Sequence, residues 1–219
     1  MTYNKDIRER IIETAIERFN HYGVEKTTMA EIIQSVGISS ATMMLYFSNK
    51  IELITEIVKH TLQTERDLIS RLIPKGMRVL PSIYKLLEIR ERTRGKYHQT
   101  QLVYGYDGVY SGLPESVLAV IKSADVKQLT LILRRGLKSG ELKEFPLQRV
   151  AALYAELLYG LNLGANARIC RITLSDCYSS EEIVEKQKEI SKILINGLRH
   201  PITPVTADLN KELIASPFG

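Results

Sequence analysis

Two helix-start signatures, Thr28 with Glu31 and Asn49 with Glu52, bracket a stretch interrupted once, at Gly37. In each, a short polar side chain caps the first amides of a helix, and the acid three residues on bonds back to the cap's own N–H. The stretch between them therefore cannot be one continuous helix. Gly37 tolerates left-handed backbone and stops one short helix, and Ser39 is placed to cap another through about Tyr46. Ile32, Val36, Ile38 and Met43 would lock the two helices together, and Ser39, Ser40, Ala41, Thr42 and Met44 would face outward. That is the outline of a helix-turn-helix, whose second helix enters a DNA groove while the first crosses the backbone.

Helical periodicity continues on both sides. Ile7, Ile11, Ile12, Ala15, Ile16 and Phe19 recur at three- and four-residue steps, so a first amphipathic helix is expected to end near Tyr22-Gly23. The Asn49–Glu52 cap opens a long helix with Leu53, Ile54, Ile57, Val58 and Leu62 on its apolar face, ended by Pro74. Proline and glycine then divide the chain into segments expected to be helical over Pro81–Thr93, Tyr97–Val109, Pro114–Lys138 and Pro146–Ile169. A last helix is capped by Ser179 and Glu182 and closes near Leu198-Arg199. No segment alternates as a strand does. The expected fold is all-α.

Composition excludes several classes. The chain has 219 residues, and no apolar stretch in it reaches the roughly 20 residues a membrane span needs. Its first residues, MTYNKDIRER, have no apolar signal core, so a cytoplasmic location is expected. Cys170 and Cys177 fit reduced thiols better than a disulfide framework, with a redox role as the alternative. The formal net charge of +5 is not where a DNA reader would use it. Lys5, Arg8, Arg10, Arg18, Lys26 and Lys50 are balanced by Asp6, Glu9, Glu13, Glu17, Glu25 and Glu31, and the excess lies beyond, as at Arg90, Arg92, Arg94, Lys96 and Arg134-Arg135.

From Ile32 to Asn49 there is no charged side chain, so no Arg or Lys can fork onto guanine from the reading helix. Recognition would rest on the Ser40 and Thr42 hydroxyls and on contacts of Ala41, Met44 and the Thr42 methyl with thymine methyls. A·T-rich half-sites are expected. Phosphates would be held by the helix-start amides near Thr28 and Ser39, by Lys50 and by the Tyr46 hydroxyl.

Residues 60–200 carry no catalytic signature, and His21, His60, His98 and His200 are scattered without metal spacing; no enzyme activity, metal or cofactor is expected. Tyr104, Tyr154 and Asn162 are candidates for lining an apolar pocket with a few orienting polar groups, the alternative being ordinary core positions. The helix from Pro146 has Glu156 as its one charge between Val150 and Ala167, so it is apolar nearly all round. With the last helix it either fills the core of one protomer or pairs with the same helices of a second copy. In the second case the face would include Ala151, Ala155, Leu158, Ile183, Ile190 and Leu194.

Residues 7–53 resemble the N-terminal domain of TetR-family transcriptional regulators. The resemblance is carried by Ala15, Phe19, Gly23, Thr27-Thr28, Ile32, Gly37-Ile38-Ser39, Tyr46-Phe47, Asn49-Lys50 and Leu53. It implies a helix-turn-helix DNA-binding domain at 1–48, a helical ligand-binding and dimerisation domain at 49–200, and a proline-containing tail at 201–219. It also implies a homodimeric repressor, released from a palindromic double-stranded DNA operator by a small, largely apolar effector. The sequence departs from the family pattern at Ile33, Val36, Ala41 and Met43-Met44, where smaller residues or a phosphate-touching tyrosine are usual. An alternative keeps the fold and replaces DNA binding by a protein-interaction role.

Overall fold

The computed structural model describes residues 5–95, 115–162 and 178–199. Among them are eight α-helices and no strand. The first four are α1 (Lys5–Tyr22), α2 (Met29–Val36), α3 (Ser40–Tyr46) and α4 (Lys50–Leu72); α5 (Val79–Gly95), α6 (Glu115–Ser139), α7 (Leu147–Asn162) and α8 (Ser180–Gly197) follow. The all-α expectation holds, and the capped starts lie where the sequence puts them: Thr28, Ser39, Asn49 and Ser179 are the N-caps of α2, α3, α4 and α8. Helix α5 starts two residues before Pro81, because a proline in the first turn removes only an amide that has no intrahelical partner there. The expected Tyr97–Val109 helix, the continuation to Ile169 and the 201–219 tail lie outside the described residues.

Two hydrophobic cores organise these helices. The first gathers Ile11, Ala15 and Phe19 of α1, Ile32 and Val36 of α2, Met43 of α3, and Phe47 around the N-terminal half of α4, through Leu62. Val117 and Ile121, at the start of α6, belong to it too. The second begins at Ile69 of α4 and joins Ile83, Leu86 and Leu87 of α5 to Leu129 and Leu133 of α6, Tyr154 and Leu158 of α7, and Ile195 of α8. Helix α4 is therefore common to both.

Between the two stretches of α4 sits a buried ionic triad. The Arg90 guanidinium lies 3.3 Å from Glu65 Oε1 and 3.0 Å from Asp125 Oδ1, with side chains 7 %, 3 % and 16 % exposed respectively. One cation thus ties α4, α5 and α6 together where apolar packing is interrupted.

Close packing also fixes the turn after α6. A Cβ on the buried Gly136 would come within 2.5 Å of Val79 Cγ2 and 2.8 Å of Leu142 Cγ. Neither atom is the loose end of a flexible chain. Gly136→Ala is expected to destabilise the protein by about 1–3 kcal/mol through overpacking, read as a lower urea midpoint at unchanged slope.

Candidate nucleic-acid interface

The turn between α2 and α3 is built as its sequence requires. Gly37 adopts φ +74° and ψ +39°, and its amide and that of Ile38 both donate to the Ile33 carbonyl, at 3.0 and 3.3 Å. A side chain at this φ would be strained. Ile32, Val36 and Met43 are buried, and Ile33 and Ile38 are half-buried against the same core, so the lock between the helices is apolar. The bulkier Ile33 and Val36 are thus absorbed within the first core.

The hydroxyls expected to meet DNA divide into two groups. Thr28 donates from its hydroxyl and its amide to Glu31 Oε2, at 2.9 and 2.7 Å, and accepts from the Glu31 amide. The bonds from the Thr28 backbone and hydroxyl hold the Glu31 carboxyl below the usual carboxylate range. Ser39 Oγ accepts from the Thr42 amide at 3.0 Å and lies 2.9 Å from Thr42 Oγ1, so Thr42 is half-buried and its hydroxyl faces the cap. Thr28, Ser39 and Thr42 thus shape the helix starts. Ser40, Ala41 and Met44 are exposed, as is Leu45, which the sequence reading did not name.

Positions 40, 41, 44 and 45 share one side of α3. Met44 and Leu45 are 61 % and 59 % exposed, a large apolar surface on a helix of seven residues. The signal for Leu45 was present in the sequence, since it follows Ala41 by one helical turn. It was missed because a leucine beside an apolar lock reads naturally as core.

The arginines of this region have structural tasks. Arg8 lies 2.5 Å from Glu56 and stacks over the Phe47 ring. Arg10 donates to the Val36 carbonyl at 3.0 Å, securing the last turn of α2. Arg18 bonds Ser35, pairs with Glu31 at 3.3 Å and covers the Tyr22 ring. At Lys50, the first residue of α4, partial burial pulls the ammonium below its ordinary value, while Glu25 and Glu31 act in the opposite direction. Tyr46 is half-buried near the end of α3. Thr27, one of the residues carrying the family resemblance, is a buried lock whose hydroxyl donates to the Gly23 carbonyl at 2.9 Å.

The other sequence-derived sites fall differently. Tyr104 lies outside the described residues, and Asn162 is described only as the last residue of α7. Tyr154 is 1 % exposed and its hydroxyl donates to Ser191, which donates to the Gln187 carbonyl. Burial pushes the Tyr154 phenol far above its ordinary value. Its hydroxyl is engaged and its ring is buried among the side chains of the second core.

The residues expected to form a dimer face differ in how far the protomer itself covers them. Ala151, Leu158 and Ile183 are buried within the protomer, and Ala155, Ile190 and Leu194 are half-buried. An apolar helix has more than one buried side, and composition alone did not say which side meets its own protomer. The exposed apolar side chains on α7 and α8 are instead Leu153, Leu157 and Ile193, the last 68 % exposed. Gly160 and Gly197 are exposed on the same two helices, with open space where a Cβ would stand.

Comparison with known proteins bears on this geometry. Residues 11–57 match the family model of the bacterial regulatory proteins, tetR family. No curated protein matches the chain. Among solved structures, a transcriptional regulator from Cytophaga hutchinsonii superposes with TM-score 0.67 at 20 % identity, covering 88 % of this chain and 98 % of its own. FadR of Thermus thermophilus, a TetR-family transcriptional repressor in complex with lauroyl-CoA, gives TM-score 0.63 at 20 % identity, over 91 % of this chain and 99 % of its own. The fatty acid degradation regulator FadR of Bacillus halodurans gives TM-score 0.67 at 17 % identity, over 91 % and 100 %. At such identities the likeness is one of fold.

Proposed function

We propose that this chain, whose residues 11–57 match the bacterial regulatory proteins of the tetR family, is a homodimeric repressor released from a palindromic operator by a small effector. The observation that carries this reading is the exposed side of α3. Ser40, Ala41, Met44 and Leu45 stand outward on a helix held by a glycine turn and a buried apolar lock. A side so apolar is costly in water and is suited to thymine methyls.

Residues 1–48 form the reading unit in this proposal and residues 49–200 the regulatory one. Leu153, Leu157 and Ile193 supply the dimer contact, each meeting its symmetry mate or near neighbour across a two-fold axis. Ala155, Ile190 and Leu194 flank them. The two reading helices would then address half-sites one helical turn apart, about 34–36 Å. Effector binding would favour a state in which that spacing is lost, which requires tighter binding to the released state than to the DNA-bound one.

Selection of bound DNA from a random pool with the purified protein tests the reading. An enriched A·T-rich palindrome is expected, and recovery of no common sequence overturns it. On that palindrome, the affinity should fall with salt at a shallow slope, about 0.9 per neutralised phosphate, because Arg8, Arg10 and Arg18 are engaged within the protomer. A slope equivalent to eight or more phosphates, on the order of −7, would show that cations outside α1–α3 hold the DNA.

A further inference from the structure

The basic excess of this chain has a place in the fold away from the reading helix. A cleft of about 530 Å³ runs along α6 beside the start of α7, and Lys122, Lys127 and Arg134 stand along it. Their spacing on the helix extends the positive charge over about 18 Å, at 1.5 Å per residue. None of the residues lining the cleft is acidic, and none of the three cations forms an ion pair among the described residues. The one carboxylate of this stretch, Asp125, is turned away onto Arg90.

Two further observations point to a ligand. Thr130 lines the cleft and is 94 % buried as a residue of 6 % exposure, yet its hydroxyl has no hydrogen-bond partner. Helical threonines commonly satisfy that group on a carbonyl one turn back, as Thr61 and Thr93 do here at 2.9 and 2.8 Å. A buried hydroxyl left unmade carries a cost that a bound acceptor would remove once the side chain turns its oxygen, now closed to solvent, toward the cleft. Gln148 lines the same cleft from the first turn of α7, which contains no acidic residue, so the positive end of that helix adds to the field.

We propose that this cleft binds a nucleotide-type diphosphate. Its phosphates would lie along Lys122, Lys127 and Arg134 with an oxygen on the Thr130 hydroxyl, and its apolar or aromatic part would rest on Val126 and Leu131. Leu131 is 38 % exposed and gives that part a hydrophobic floor. A lone inorganic anion would use neither the length of the charged row nor the floor. Reading this ligand as the effector rests on the regulator function proposed above; the binding itself does not.

The test is isothermal titration of the full chain at low ionic strength with ADP, coenzyme A and inorganic pyrophosphate, in the absence of DNA. At least one of the two nucleotides is expected to bind saturably and more tightly than pyrophosphate. Lys127→Glu and Arg134→Glu should each weaken it about tenfold or more, Thr130→Val several-fold, and Lys138→Glu, exposed on the same helix but outside the cleft, should leave it unchanged. Binding of coenzyme A alone would assign the ligand to extended thioester carriers, and equal binding of ADP to nucleotides in general; either supports the site. Absence of saturable binding by both nucleotides overturns the proposal, as does equal weakening by Lys138→Glu. Pyrophosphate binding as tight as either nucleotide overturns it too. Mobility shifts with the same proteins read DNA binding separately, so failure of the regulator reading and failure of the nucleotide site are told apart.

Discussion

Replacement of Arg90 by alanine is expected to cost about 3–5 kcal/mol of folding free energy, the largest stability effect predicted for a single side chain in this protein. The guanidinium is held between Glu65 and Asp125 in a region nearly closed to solvent. Removing it takes from two buried carboxylates the cation that lies between them, and the penalty is mostly theirs. For a chain of this size the loss corresponds to a melting temperature lower by roughly 6–20 °C. A control separates charge from volume. The triple replacement Glu65→Leu, Arg90→Met, Asp125→Leu removes all three charges and should recover most of the lost stability, because well-packed apolar groups commonly replace buried ion networks at little cost. If Arg90→Ala alone melts like the wild type, water enters the triad and the two carboxylates are solvated.

The second large effect concerns DNA. Met44→Glu places a carboxylate on the exposed side of α3, away from the buried lock formed by Met43. Folding should be nearly unaffected, since the side chain is already mostly in water. Operator affinity should fall about a hundredfold, because a like charge brought against an anionic partner costs several kcal/mol and each 1.4 kcal/mol is tenfold. Met44→Gln, equally long and uncharged, should lose far less. A mobility-shift titration distinguishes them, and equal affinities for the Met44→Glu protein and the wild type would move the reading surface off this side of α3.

Local signals made most of the fold legible in the sequence. The capping boxes Thr28–Glu31 and Ser179–Glu182 depend on residues three apart, and at α4 Asn49 caps the Glu52 amide while the Glu52 carboxylate accepts from Ser48 instead of Asn49, so nothing beyond the segment is needed to read these starts. Gly37 is equally local. What could not be read is how side chains divide between competing partners. Thr42 looked like a base contact because a hydroxyl on a recognition helix suits one, yet Ser39 stands three residues before it and engages the hydroxyl in the cap. Arg8, Arg10 and Arg18 were counted as charge; their partners are at Glu56, Val36 and Glu31, positions that only the folded chain brings near. On α7, every third or fourth residue is apolar on several sides, and only packing shows that Ala151 and Leu158 turn inward while Leu153 and Leu157 remain outside. The triad escaped notice for the same reason, since Glu65, Arg90 and Asp125 belong to three different helices.

The position of that triad has a mechanical consequence. Glu65 lies fifteen residues beyond Lys50 on a single uninterrupted helix, which makes a rigid arm of about 22 Å from the clamp to the reading unit. The clamp would be the fulcrum of a tilt, because the apolar stretches of α4 on its two sides belong to different cores. A tilt of only about 5° there would carry the far end of that 22 Å arm through about 2 Å. Two such arms in a symmetric pair would move in opposite senses, so a shift too small to disturb either core is doubled in the distance between the two reading helices.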